Sequence, residues 1–256
     1  MKSLAIVGGA GRMGQALAEG LGALEEFSVA ALVDAQTPRE LFGATYASSL
    51  DALDSTTVDV VIDFSSPEGV VTSATWCAAH RVALIVGATG LGEQERHALE
   101  TTAAVVGVVV ASNFSIGAVL SERFAAMAAP YFERVEIVEL HHDKKVDAPS
   151  GTSIATALAV AEARRHGGLA ALADPTTRRS IDGARGATGA DGIQIHSVRL
   201  PGLVAHQEIL FGSAGEGLTI RHDSFDRQSF VHGVALAALA VGTTPQLLDG
   251  IASLIP

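Results

Sequence analysis

The residues best equipped for chemistry lie mid-chain, in His141-His142-Asp143-Lys144-Lys145 and, after Asp147-Ala148-Pro149, in Ser150-Gly151-Thr152. Histidine suits proton transfer near neutral pH because its unperturbed pKa lies there. Ser150 is a good helix N-cap, and the preceding Asp-Ala-Pro forces a turn. A helix N-terminus offers unpaired N–H donors and a partial positive charge. Two histidines, one or two lysines and that helix end are therefore expected to converge on a small anion carrying carboxylates. A run of cations is ordinarily just a solvated loop. Here, however, the chain carries 28 Asp and Glu against 17 Lys and Arg, a net charge of −11. Four potential cations within five residues stand out against that field. A metal site on the paired histidines is set aside, because adjacent strand residues point to opposite faces.

A second locus is Gly9-Ala10-Gly11-Arg12-Met13-Gly14, a G-x-G-x-x-G after an apolar run, with Asp34 lying 20 residues past Gly14. In this pattern Gly9 permits the tight turn, Gly11 lets the backbone approach a pyrophosphate, and Gly14 lets helix and strand pack closely. Strand, turn, helix and distal carboxylate together point to a nicotinamide or similar dinucleotide. Asp34 can accept bonds from ribose hydroxyls, which favours NADH, and Arg12 and Arg39 offer compensating cations for the extra phosphate of NADPH. Use of both is expected, NADH somewhat favoured. Gly87-Ala88-Thr89-Gly90, at a strand end, is a further candidate for the cofactor crevice.

These residues need a scaffold. With 256 residues, 48% hydrophobic and 18% charged, the chain can build one large core or two ordinary ones. Apolar, β-branched runs at 4–7, 28–33, 58–64, 82–86 and 105–111 alternate with helical segments at 12–24, 67–80 and 93–102. That rhythm predicts a doubly wound parallel sheet covered on both faces. After Asn113 it changes: helices are expected at 116–129 and 152–165 and a strand at 134–140. An irregular stretch at 166–192 and strands at 194–200, 206–211 and 218–222 follow. Consecutive strands after helices suggest an α+β domain with an open mixed sheet. A final helix at 227–241 should return to the first domain. The expected division is 1–113 with 227–256 for the dinucleotide, and 114–226 for the substrate and oligomer contacts.

Negative charge disfavours nucleic acid and anionic membranes as partners, and no apolar run reaches membrane-spanning length. The single cysteine, Cys77, excludes an internal disulfide and, with Trp76, reads as packing within a helix. The N-terminus lacks the features of a signal peptide, which makes the cytoplasm the expected address.

Glu139-Leu140-His141-His142-Asp143-Lys144-Lys145-Val146-Asp147-Ala148-Pro149-Ser150-Gly151-Thr152 closely resembles the E-x-H-H-x-x-K-x-D-A-P-S-G-T signature of dihydrodipicolinate reductases. Gly11-Arg12-Met13-Gly14, Asp63-Phe64, Pro67-Glu68-Gly69, Asn113-Phe114-Ser115 and Arg227 extend the resemblance along essentially the whole chain. Ala88 departs from the family's Gly-Thr-Thr-Gly loop, and Ser112 varies a neighbour of the hinge. The resemblance implies an N-terminal Rossmann domain, an α+β substrate and oligomerisation domain, and a homotetramer. It implies a six-membered cyclic imine substrate with two carboxylates and a 4-hydroxyl, which loses water and accepts hydride at C4 on the route to diaminopimelate and lysine. His141 would be the general acid–base group, Lys145 its partner in protonation, and His142, Gly151 and Thr152 the carboxylate site. Gly8, Gly9, Gly11, Arg12, Met13, Gly14, Asp34, Gly87, Thr89, Ser112, Phe114 and Arg227 would hold the cofactor. His206 and Arg199, on later strands, have counterparts in the family; for His206 a structural role is the expected one. A related reductase acting on an amino acid or semialdehyde would keep the glycine turn without needing the H-H-x-x-K and S-G-T pair. A redox sensor that only binds NAD(H) should have lost His141 or Lys145.

Overall fold

Short β-branched segments alternate with helices through the first half of the chain, and the central strands are wholly buried. The computed structural model describes residues 1–256. In order come β1 (Lys2–Val7), α1 (Arg12–Gly22), β2 (Phe27–Val33), β3 (Thr45–Ala47), β4 (Val60–Asp63), α2 (Pro67–His80), β5 (Ala83–Val86), α3 (Glu93–Ala103) and β6 (Gly107–Val110). Next are α4 (Ile116–Ala128), β7 (Arg134–His141), α5 (Gly151–His166), β8 (Ala187–Thr188), β9 (Gln194–Arg199), β10 (Ala205–Ser213) and β11 (Glu216–Ser224), and α6 (Val231–Ala240) and β12 (Gln246–Asp249) close the chain. The residues form two compact units, Met1–Ile116 with Arg227–Pro256, and Gly117–Asp226.

The first unit holds a seven-stranded sheet in the order β12-β6-β5-β4-β1-β2-β3. Every pair in it is parallel. All residues of β4 and β5 are buried, as a sheet sandwiched between helices demands. On α2, Ser66 caps the N-terminus by accepting from Gly69 N, Pro67 occupies the first turn, and Arg81 ends the helix in a left-handed conformation. Trp76 and Cys77 face inward from it and pack with Val61, Leu84 and Leu99.

The final helix does return to this unit. It starts later than its sequence suggests: Arg227–Phe230 form a 3-10 turn before α6. Gly233 is required there, since a Cβ would lie 1.8 Å from the Phe114 carbonyl oxygen. Lys2 Nζ donates to the carbonyls of Ala238 and Val241, placing a cation on the helix C-terminus. Two strands of this unit are not evident in the sequence. β3 and β12 are three and four residues long, and each exists because a sheet edge is there to pair with.

In the second unit the sheet order is β11-β10-β7-β9-β8. β7 and β9 run parallel and the other pairs antiparallel, so the sheet is mixed. Along β7 the side chains of Val135, Ile137 and Glu139 alternate inward. Ala157, Val160 and Ala161 of α5 pack on the two apolar ones, with Ile195, Ile209 and Phe211 from neighbouring strands. Each large aliphatic side chain buried here contributes about 1.5–3 kcal/mol. Glu139 continues the same inward row as a carboxylate, fully buried. The 166–192 stretch is largely irregular; Arg185 pins it to the sheet by pairing with Glu136 and pairs within the stretch with Asp174.

Candidate active site

His141 ends β7 and leaves 14% of its side chain exposed. Its Nδ1 bonds to a carboxylate oxygen of Glu139, two residues back on the same face. The Glu139 carboxylate also accepts from both terminal nitrogens of Arg199, at 2.8 Å each. Burial opposes the ionised form of Glu139, but bonds from Arg199, Ser197 and His141 outweigh it and hold the carboxyl below its ordinary range. Burial pushes His141 below the usual histidine value, Lys145 and Arg199 reinforce that, and Glu139 opposes it. His141 is thus neutral at neutral pH, with one ring nitrogen engaged by Glu139.

The loop beyond β7 is tied back by Arg199 Nη2, which donates to the Asp147 carbonyl at 2.8 Å. Lys145 Nζ lies 2.8 Å from both oxygens of the Asp147 carboxylate. Of the clustered cations Lys145 is therefore already paired, with Asp147. His142 and Lys144 are exposed. After the cis Ala148-Pro149 bond, Ser150 caps α5: its Oγ accepts from Ser153 N, and its carbonyl accepts from Ile154 N. The Gly151 and Thr152 N–H groups precede any intrahelical acceptor and are left without protein partners. A Cβ on Gly151 would meet nothing within 4 Å, so the space beside this residue is open.

A buried polar network locks this helix end to the sheet. Ser153 Oγ donates to Gln207 Oε1 at 2.8 Å, and Gln207 Nε2 donates to Thr156 Oγ1 at 3.0 Å. Gln207 lies directly across the ladder from Glu139, and Ala205 across from His141. The N-terminal end of α5 is thus tied through Gln207 to β10, the strand that pairs with the one carrying His141. The sequence alone does not single out Gln207; only the register brings it opposite Glu139. No group of three or more His, Cys, Asp or Glu converges as a metal site. His206 is buried, with Nδ1 on Asp223 and Nε2 accepting from Val204 N, a satisfied structural group.

In the first unit the turn between β1 and α1 has the features a pyrophosphate requires. Gly11 caps α1 without a side chain and the first turn carries no acidic residue, so the N–H groups of Arg12, Met13 and Gly14 are free donors. The glycine roles differ from expectation in one respect. The positive φ of the turn, +81°, belongs to Gly8, whereas Gly9 is needed because a Cβ would lie 2.8 Å from Leu32 Cβ. At Gly14 a Cβ would lie 2.2 Å from the Gly8 carbonyl oxygen, which accounts for the third glycine. Asp34, at the end of β2, accepts from Ala10 N and Gln36 N, one on each oxygen. It lines a cavity of ≈ 310 Å³ with Gly8, Ser65 and Ser66. Arg12 and Arg39 are exposed.

Thr89 and Ser112 line a second cavity of ≈ 280 Å³ at the carboxyl ends of β5, β6 and β12. Ala88 is buried at its wall, and Gly87 is forced by the Phe64 ring, 2.1 Å from where a Cβ would sit. Phe114 must be corrected as a cofactor contact: it is fully buried against Phe64, ring centroids 5.6 Å apart, and offers a ligand no surface. Its place is behind the wall that Phe64 and Gly87 form. Arg227 is exposed at the start of the 3-10 turn.

A doubly wound parallel sheet with a glycine turn at its first strand, joined to an α+β unit bearing a histidine dyad and a free helix end, defines a nicotinamide-dependent oxidoreductase. The family model for the N-terminus of dihydrodipicolinate reductase matches residues 2–114, and that for its C-terminus matches residues 117–254. A 4-hydroxy-tetrahydrodipicolinate reductase from Cutibacterium acnes is 43% identical over 258 residues, covering 100% of this chain and 99% of the relative. Another, from Mycolicibacterium gilvum, is 44% identical, covering 98% of this chain and 97% of the relative. Among solved structures, a dipicolinate-bound dihydrodipicolinate reductase from Paenisporosarcina sp. superposes with a TM-score of 0.84 at 37% identity, covering 99% of each chain. The chain belongs to the dihydrodipicolinate reductase family.

Proposed function

We propose that this chain reduces 4-hydroxy-tetrahydrodipicolinate to tetrahydrodipicolinate with loss of water, using NADH or NADPH, in diaminopimelate and lysine biosynthesis. The observation that carries the reading is one arrangement in the second unit. His141 is held by buried Glu139, and the unpartnered Gly151 and Thr152 donors are tied to the same sheet through Ser153 and Gln207.

The nicotinamide, when bound, supplies the hydride that replaces the 4-hydroxyl at C4. The hydroxyl leaves as water and takes a proton with it, so one proton must enter per turnover. His141, neutral at rest, moves protons at the ring; its lowered pKa supports this reading. Lys145 adds a cation that assists protonation, exchanging its Asp147 partner for the substrate. Gly151 and Thr152 N–H groups, with His142, hold a carboxylate. The unit Met1–Ile116 with Arg227–Pro256 takes the dinucleotide on Gly8, Gly9, Gly11, Arg12, Met13 and Gly14, with Gly87, Thr89, Ser112 and Arg227 at further contacts. The unit Gly117–Asp226 takes the substrate.

Both nicotinamides serve, NADH somewhat better. Asp34 retains lone pairs for ribose hydroxyls, and Arg12 and Arg39 are available for a 2′-phosphate. The working form is a homotetramer. Nine-residue β11 forms an outer edge of the open sheet and is largely exposed, and an uncovered edge of that length favours pairing between copies. The cytoplasm is the proposed location; no helix is long and apolar enough to cross a membrane.

The deciding assay mixes the protein with NADH or NADPH and freshly generated 4-hydroxy-tetrahydrodipicolinate and follows nicotinamide absorbance. Rapid oxidation is expected, with kcat/KM falling more than about a hundredfold in Lys145→Ala, since a charge and a reaction role go together. Turnover within about threefold of the parent would remove Lys145 from the mechanism. Tight dinucleotide binding without turnover would leave a sensor or an altered substrate.

A further inference from the structure

We propose that Glu139 is the positioning residue of the reaction: it fixes the tautomer of His141 with the proton on Nδ1 and Nε2 turned to the substrate, and Arg199 locks Glu139 in that role. The inference rests on the reading of His141 as the acid–base group. Four contacts carry it. Glu139 is fully buried at the inward-facing end of β7, and a buried carboxylate persists only when paired and hydrogen-bonded. One of its oxygens bonds His141 Nδ1 and Arg199 Nη1, and the other bonds Arg199 Nη2. An ionised carboxylate accepts only, so the shared proton sits on Nδ1 and Nε2 keeps its lone pair. Arg199 Nη2 also donates to the Asp147 carbonyl, linking the pair to the loop that carries Lys145.

The arrangement is more than packing. An apolar residue at 139 would continue the row of Val135 and Ile137 without the cost of a buried charge. A carboxylate there makes the imidazole a stronger base and stabilises the imidazolium formed when Nε2 takes a proton. The charged groups facing His141 are Glu139 on its own strand, Arg199 on β9 and Lys145 in the loop, the last neutralised by Asp147. Of these, Glu139 alone favours the protonated ring.

The first test is made on the unmodified protein. Nitrogen-15 NMR of the His141 ring, assigned with His141→Gln, should show the Nδ1–H tautomer at neutral pH. Finding the Nε2–H tautomer, the form favoured by free histidine, overturns the proposal without any variant at 139. The second test is kinetic. Glu139→Gln should lower kcat about ten- to a hundredfold with substrate KM changed less than about threefold. The limb of the kcat/KM profile that reports His141 should move to lower pH. Glu139→Asp keeps the charge one methylene short and should recover part of kcat and the pH limb; a purely structural role predicts neither. Where Glu139→Gln unfolds because Arg199 loses its partner, Glu139→Gln with Arg199→Met removes both charges and must still move the limb to lower pH, by less than Glu139→Gln alone, because Arg199 itself disfavours the protonated ring. A near-parental kcat and an unmoved limb in these variants, while His141→Gln is inactive, refute the positioning role alone. Activity retained by His141→Gln refutes the acid–base reading beneath it.

Discussion

Replacing Gly151 by alanine should make the protein more stable and less active. Gly151 is the first residue of α5, its φ is not positive, and a Cβ there meets no atom within 4 Å. Alanine at a backbone-compatible site narrows the unfolded ensemble and stabilises by about 0.4–1 kcal/mol. For a chain of this size that raises Tm by roughly 1–4 °C. Under the proposed assignment the substrate carboxylate binds at the Gly151 and Thr152 N–H donors, and a methyl on Gly151 would stand beside it. Losing one charge-assisted bond costs about 1.5–3 kcal/mol, hence roughly ten- to a hundredfold in kcat/KM. The effect should fall mainly on KM, because a carboxylate remote from C4 is bound alike in ground and transition states. Thermal unfolding without ligands and steady-state nicotinamide oxidation measure the two halves separately. A stabilised enzyme with kcat/KM within about twofold of the parent would sink the carboxylate assignment. A lowered Tm would show that the space is not open.

Gly14→Ala should do the opposite to stability, because its methyl would overlap backbone atoms of Gly8 and Gly9. Overpacking of this kind costs about 1–3 kcal/mol, or roughly 2–12 °C in Tm, and calorimetry should show at least about tenfold weaker NADH binding. Arg39→Ala should lower kcat/KM with NADPH while leaving the value with NADH within about twofold; equal losses would remove Arg39 from phosphate recognition. The stability of the second unit should decline on acidification. Burial lowers the folded pKa of His141, so its neutral form stabilises fully above the unfolded value of about 6.5, and that contribution is lost as pH falls through the folded value. Thermal unfolding between about pH 7 and 5 should therefore show a steeper drop for the parent than for His141→Gln, and identical slopes would contradict it.

The doubly wound sheet was legible because each of its main strands is an apolar run ended by a turn residue, and local sequence carries both signals. The helix from Pro67 to about His80 was legible because Pro67 suits a first helical turn by local chemistry. The mixed sheet was legible from three strands in succession, and the glycine turn from its spacing. By contrast, β3 and β12 were not, because strands of three or four residues are stabilised by the edge they join rather than by their own pattern. Which glycine takes the positive φ was decided by how the turn meets Phe64 and Leu32, a contact with residues far along the chain. The sequence by itself determined which side chains are available for chemistry and which elements carry them, because spacing and periodicity are properties of the chain alone. Only the tertiary structure decided their state. Register placed Gln207 opposite Glu139 and Arg199 beside His141, buried Phe114 behind Phe64, and set Asp147 against Lys145, since pairing across strands and desolvation exist only once distant segments meet.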